Sequence, residues 1–173
     1  MNSQQMLPQN RKSDKLPDGM KLLADAMLGK LCKWLRLLGH DTAYDSGWAD
    51  NDIVRLARAE GRVILTRDRA LSERRGIRAL LLTSDLLEEQ LAQVISELQL
   101  PPGVAGSRCS VCNGLLEQVA GISVQERVPR HVYETQEVFR HCPKCDRIYW
   151  QGGHWARMQP VIDRLQEAAE KRD

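Results

Sequence analysis

The stretch Lys21 to Arg36, KLLADAMLGKLCKWLR, decides how the rest of the chain is organised. It opens with a short apolar run, Leu22-Leu23-Ala24, which stops on an acid, Asp25. Beyond Asp25 the apolar residues Leu28, Leu31, Leu35 and Leu38 recur three or four apart, which is helical spacing. Gly39 then stands where a helix ends in a left-handed residue. A strand that runs into a carboxylate and then into a helix is the opening unit of a doubly wound parallel α/β sheet. Ligands of such sheets bind outside the carboxyl ends of the strands. Asp25 is expected at that edge.

Working outward, His40 to Asp45 carries the β-branched and aromatic content of a second strand, and Ser46 to Ala49 reads as a loop. Asp50 has the position of an N-cap, because Ile53, Leu56, Ala57 and a closing Gly61 follow at helical spacing. Arg62 to Thr66 is a buried-strand signal ending in Thr66-Arg67-Asp68. Ile77 to Leu82 is a fourth apolar run, ended by Thr83-Ser84-Asp85. A second amphipathic helix follows, with Leu86, Leu87, Leu91, Val94, Ile95 and Leu98 as its inward face. Strands alternating with helices call for a parallel sheet covered on both faces, and right-handed crossovers put every carboxyl end on one edge. Asp25, Asp50 or Asp52, Asp68 and Asp85 are therefore expected along one rim.

The chain of 173 residues has room for one domain and a small module, and 42% hydrophobic residues suffice for a core. Its formal charge of +2 is too small to signal nucleic acid by itself, so any such surface must be local. No run approaches the roughly 20 apolar residues of a membrane span. Residues 1–19 read as a polar, disordered tail without the apolar region of a signal peptide. A cytoplasmic protein is expected, with its five cysteines reduced or metal-bound.

Pro101 to Ser107 reads as a linker closing a domain of residues 20–100. Beyond it, Cys109-x-x-Cys112 and Cys142-x-x-Cys145 have the pattern of a tetrahedral four-cysteine zinc site. The ribbon is expected over residues 107–158, and a helix or tail over 159–173. The spacer between the pairs exceeds the common ribbon spacing, so a long hairpin or loop at Val119 to Thr135 is expected. All four positions are thiolates, which leaves no open coordination site for catalysis. Cys32, inside the first helix, reads as a packing residue.

Carboxylates converging on one edge repel one another unless a cation sits among them, and Mg²⁺ or Mn²⁺ prefers such oxygen ligands. A pair of these ions cleaves phosphodiesters without a cysteine or serine nucleophile. Lys30, Arg36, Arg67 and Arg69 lie near the acids in sequence, and Lys30, Arg36 and Arg67 are the candidate phosphate contacts. Plainer roles compete: Asp50 and Asp85 as helix caps, Asp45 as a turn residue, Lys30 and Lys33 as a solvated face.

The run Asp25-Ala-Met-Leu-Gly-Lys-Leu-Cys-Lys-Trp-Leu-Arg-Leu-Leu-Gly-His-Asp41, with Asp50-Asn-Asp-Ile and Ile64-Leu-Thr-Arg-Asp68-Arg, resembles the mut-seven C-terminal RNase domain family. The two C-x-x-C pairs and the trailing Tyr149-Trp-Gln-Gly-Gly-His154-Trp match it too, so that it covers roughly residues 20 to 158. The resemblance implies a PIN-like nuclease domain followed by a zinc ribbon, with RNA as the partner and a divalent-metal site of acids. Matched residue by residue, the family's acids fall on Asp25, Asp50 and Asp68. Asp52 remains an alternative to Asp50, and Asp85 follows only the general PIN-like habit of a later acid. Two functions result: a ribonuclease using Mg²⁺ or Mn²⁺ beside a structural zinc, or a non-catalytic RNA-binding adaptor working through Arg108, Arg127, Arg130, Arg140, Lys144, Arg147, Tyr149, Trp150 and Trp155. A phosphoacceptor receiver is the weaker third class, since the first strand ends in Ala24-Asp25 and not in a pair of acids. Oligomeric state is not legible.

Overall fold

The computed structural model describes residues 19–101, 103–152, 156, 160–161 and 163–164. The expected N-terminal tail, apart from Gly19, and most of the expected C-terminal helix lie outside the described residues, as do His154 and Trp155. The chain is mixed α/β. Four parallel strands, β1 (Leu22–Ala24), β2 (Thr42–Ala43), β3 (Val63–Thr66) and β4 (Arg78–Leu81), form a sheet in the order β2-β1-β3-β4. Between and after them run α1 (Gly29–Leu37), α2 (Asp50–Glu60), α3 (Arg69–Ser72) and α4 (Leu87–Glu97). A single 3-10 turn, Ala26–Leu28, joins β1 to α1.

Alternation along the strands divides the core. Leu22, Ala24, Val63 and Leu65 face α1 and α4, where Leu31, Leu35, Leu91 and Val94 are buried. Leu23 and Ile64 face the other way, onto Ile53, Val54 and Ala57 of α2 and Leu71 of α3. The sheet is thus apolar on both sides, as parallel strands between helical layers must be. Gly39 takes φ +95 just past α1, and Gly61 takes φ +66 at the end of α2, the left-handed terminations that the sequence announces.

The second sheet is antiparallel, β5 (Glu117–Val119), β6 (Phe139–His141) and β7 (Ile148–Trp150), in that order. The long spacer between the cysteine pairs is not a simple hairpin. It holds a 3-10 turn, Gly121–Val124, and a short helix α5 (Arg130–Thr135). Val124, Val128 and Val132 bury themselves against Phe139 to make a small core of their own.

The two sheets meet at the amino-terminal edge of the parallel one. Arg36, expected as a phosphate contact, is 4% exposed and faces this seam instead. Its Nε donates to the Thr42 carbonyl at 2.8 Å, and its Nη1 donates to the carbonyls of Ser110 at 3.2 Å and Val111 at 2.8 Å. Asn113 accepts from the Thr42 backbone N–H at 3.2 Å and donates to Asp41 at 2.8 Å. Burial alone would raise the Asp41 carboxyl, but bonds from Arg62 and Asn113 and the charge of Arg108 hold it below its ordinary range. Residues 103–107 pack on the end of α1, where Gly106 donates to the Leu37 carbonyl at 2.7 Å. A Cβ on Gly103 would lie 2.1 Å from the Leu38 carbonyl oxygen, so only glycine lets the strands of chain pass there. At the far edge, Gln93 of α4 donates to the Leu81 carbonyl at 3.0 Å and accepts from the Thr83 N–H at 3.2 Å.

Two details of α4 and α2 differ from expectation. Leu86 precedes α4 as its N-cap and is 59% exposed, so it is not part of the inward face. Ala49, not Asp50, is the N-cap of α2, and Asp50 is its first residue.

Arg36→Met keeps the volume and strands three carbonyls. It is expected to lower the free energy of unfolding by about 1–3 kcal/mol, read as a lower denaturant midpoint at unchanged slope. Lys33→Met, on the exposed side of the same helix, should stay within about 0.5 kcal/mol of the parent.

Candidate functional site

The order β2-β1-β3-β4 means that the chain leaves β1 in one direction and returns to β1's other side as β3. The carboxyl ends of β1 and β3 therefore flank the point where the winding reverses, the place where such sheets open a crevice. Asp25 follows β1 there, and Thr66 closes β3 beside it: Asp25 N–H donates to the Leu65 carbonyl at 3.0 Å. The Thr66 hydroxyl, fully buried, donates to Asp25 Oδ2 at 2.7 Å and accepts from the Asp68 backbone N–H at 2.9 Å. One hydroxyl thus ties two of the predicted acids together. Asp25 is 8% exposed, and its Oδ1 accepts from Ala26 N–H at 2.5 Å.

Asp68 caps α3, its Oδ1 accepting from Ala70 N–H at 2.7 Å and Leu71 N–H at 3.3 Å. The capping role considered for Asp50 and Asp85 belongs to Asp68. Asp50 is exposed in the first turn of α2. Asp52 is paired with Arg55 at 2.9 Å. Asp85 is exposed, and the N–H of Leu86 is taken by Ser84 Oγ at 3.1 Å instead. Asp45 is a turn residue, accepting from Gly47 N–H at 2.8 Å. Lys30 and Arg67 are exposed. Among the described residues the acids do not form a set of three or more whose ligand oxygens lie within 4.8 Å of one another. Thr66 was not picked out in the sequence. Its signal was there: it is the last residue of a strand in register with the one that Asp25 follows.

The cysteines do form such a set. The sulfurs of Cys109, Cys112, Cys142 and Cys145 all lie within 4.8 Å of one another, with Cys109–Cys145 at 3.5 Å and Cys112–Cys142 at 3.4 Å. None is in a disulfide. Four Zn–S bonds of about 2.3 Å in a tetrahedron place sulfurs roughly 3.8 Å apart, so the donor set and its spacing fit a zinc ribbon. Gly114 makes room: a Cβ there would sit 3.2 Å from Cys142 Sγ and 3.4 Å from Cys112 Sγ. Burial pushes Cys145 up to about 12, with the neighbouring thiols adding to it. Burial also opposes ionisation of Cys109, yet the Tyr149 hydroxyl and the N–H groups of Cys112 and Val111 bring it down to about 6. Four thiols this close ionise together only around a cation. Tyr149 Oη lies 3.0 Å from Cys109 Sγ, a donor that orients the ligand. Cys32 is not part of this group and is buried, its Sγ 3.8 Å from the Thr42 carbonyl.

The two constellations stand at opposite edges of the parallel sheet. The acids follow the carboxyl ends of its strands, and the cysteine knuckle sits on Arg36 and Thr42 at the amino end. No helix among the described residues is long and apolar enough to cross a membrane.

A family model described as the Mut7-C RNAse domain matches residues 20–162. No curated protein and no solved structure matches the chain.

Purified protein should carry about one zinc per chain, and Tyr149→Phe should weaken zinc binding about 10- to 100-fold in a chelator competition, since it deletes an outer-shell donor. Unchanged affinity would make the Tyr149 hydroxyl a packing contact only.

Proposed function

The chain belongs to the Mut7-C RNase domain family over residues 20–162, and from that membership we propose that it is a metal-dependent ribonuclease of PIN-like fold. The observation that carries the reading is the Asp25–Thr66–Asp68 linkage at the reversal of the strand order. Asp25, Asp68 and Asp50 would hold Mg²⁺ or Mn²⁺, hard ions matched to carboxylate oxygens. When bound, such ions supply a water ionised near neutral pH and stabilise the charge on the leaving oxygen.

What the chain contributes is position. The Thr66 hydroxyl holds the Asp25 carboxylate and the backbone of Asp68, so two acids that follow different strands are tied to one point. The N–H groups of Ala70 and Leu71 hold Asp68 Oδ1, which leaves Oδ2 for a cation. Asp50, in the first turn of α2, is exposed and free to swing toward it. Lys30 and Arg67, exposed and close to Asp25 and Asp68 in sequence, suit the phosphates that flank the cleaved bond. The zinc ribbon, at the other edge, serves structure and RNA contact. Residues 20–100 as the nuclease domain and 107–158 as the ribbon are the division this reading implies.

The competing reading is an RNA-binding adaptor without cleavage. It draws on the same distance that separates the acids, none of which gathers with two others inside 4.8 Å. Asp68→Asn separates the two. Asparagine caps a helix about as well as aspartate, so the fold should keep its stability, whereas Asp68→Ala should lose roughly 0.5–2 kcal/mol. On the ribonuclease reading Asp68→Asn abolishes Mn²⁺-dependent RNA cleavage and removes the rise in melting temperature that Mn²⁺ gives the parent. A parent that binds RNA, cleaves none and melts alike with and without Mn²⁺ is the adaptor.

A further inference from the structure

One strongly basic groove takes no part in the site described so far. It lies between α2 and the turn that follows α3, is open to solvent with a volume of about 730 Å³, and is lined chiefly by Arg55, Arg58, Arg74, Arg75 and Asn51. All four arginines are exposed, and no carboxylate is among its lining residues. For a chain whose formal charge is only +2, four guanidinium groups on one groove are a marked local concentration.

The groove is built and not a chance of surface composition. Arg58 donates to the backbone carbonyl of Arg75, and Arg74 donates to Asn51 Oδ1, so each wall grips the other. Gly76, at φ +72, makes the turn that presents the Arg75 carbonyl, and a Cβ there would lie 3.4 Å from Arg58 Nε. Arg58 and Arg74 each spend one of five N–H donors on these bonds. Arg55 is tied only to Asp52, with 80% of its own side chain exposed.

Its placement says what it is for. Asn51 directly follows Asp50, and Arg74 closes the short segment that Asp68 opens, so the groove starts at the acidic rim. It then follows α2 for about 12 Å, the rise from Asn51 to Ala59. No aromatic residue lines it, so it offers charge and bidentate donors and no platform for stacking. We propose that this arginine groove carries the single-stranded RNA backbone to or from the acidic rim, gripping about two phosphates without reading the bases. The proposal rests on the ribonuclease reading and gives that site its substrate path.

Guanidinium–phosphate contacts release counterions, and each contact with a single strand adds about 0.7 to the salt slope of binding. The test uses the full zinc-loaded chain carrying Asp68→Asn, so that RNA stays intact, and a short labelled single-stranded RNA read by anisotropy over a range of salt. Adding Arg55→Glu and Arg75→Glu should weaken binding on the order of tenfold at low salt and lower the slope by about 1.4, equally for RNAs of different sequence. Arg55→Gln with Arg75→Gln should move both in the same direction by a smaller amount, which covers any loss of fold in the reversed variant. Lys21→Glu with Lys33→Glu changes the net charge equally, at two exposed residues outside the groove, and should leave the slope in place. Equal binding and slope in the groove variants, or an equal loss in the control pair, overturns the groove while leaving cleavage by the parent to stand. If the Asp68→Asn chain binds no RNA and the parent cleaves none, the ribonuclease reading itself falls, and the groove with it.

Discussion

The guanidinium of Arg36 holds the two sheets together, and much of the arrangement depends on it. It is buried in α1, yet three of its bonds go to backbone carbonyls outside that helix. Two of those carbonyls, Ser110 and Val111, lie between the cysteines of the first knuckle. An arginine serves here because its donors spread in a rigid fork and stay charged at any pH of interest. Asp41 and Asn113 complete the seam, and the glycines at 39 and 103 allow the approach. The order of the metal knuckle and the packing of the first helix are mechanically one.

The seam lies on the side of the parallel sheet away from the acidic rim and carries the cysteine cluster. The cysteine cluster is soft and closed, with Cys109 and Cys142 buried and Cys112 and Cys145 partly exposed, suited to a structural metal. The rim is hard, partly open and spread over three connections, each of which begins where a strand stops. Parallel strands enforce this division, since they send every helix-starting residue to one edge and every strand-starting residue to the other. The arginine groove runs along α2 from the first edge toward the second, so a strand of RNA laid in it spans the face of the sheet.

The sequence allowed the parallel sheet to be read because its signals are local. Leu22-Leu23-Ala24 ends on Asp25, Gly39 and Gly61 end helices, and Val63 to Thr66 is a short run rich in β-branched residues. The cysteine pairs were legible for the same reason: their spacing is chemistry in itself. Arg36 was not, because its carbonyl partners stand 74 and 75 residues away and a basic residue on an amphipathic helix ordinarily faces water. Asp68 as a cap was missed because α3 spans four residues, too few to show a period. The arginine groove escaped notice because Arg55 and Arg58 belong to a helix and Arg74 and Arg75 to a turn, brought together only by folding.

The bonds at the two margins of the parallel sheet have a consequence for self-association. A sheet's outer strand offers unpaired N–H and C=O groups, a template for another chain. Here Thr42 on one margin gives its N–H to Asn113 and its carbonyl to Arg36. On the other margin, Gln93 takes the carbonyl of Leu81 and the N–H of Thr83. Side-chain amides and a guanidinium stand in for the neighbour that would otherwise add, at strands of only two and four residues. Part of the pairing capacity of each margin is thereby occupied, by the ribbon's Asn113 and by Arg36 on the β2 side and by Gln93 on the β4 side, so that the ribbon covers a sheet edge as well as being a fold in its own right.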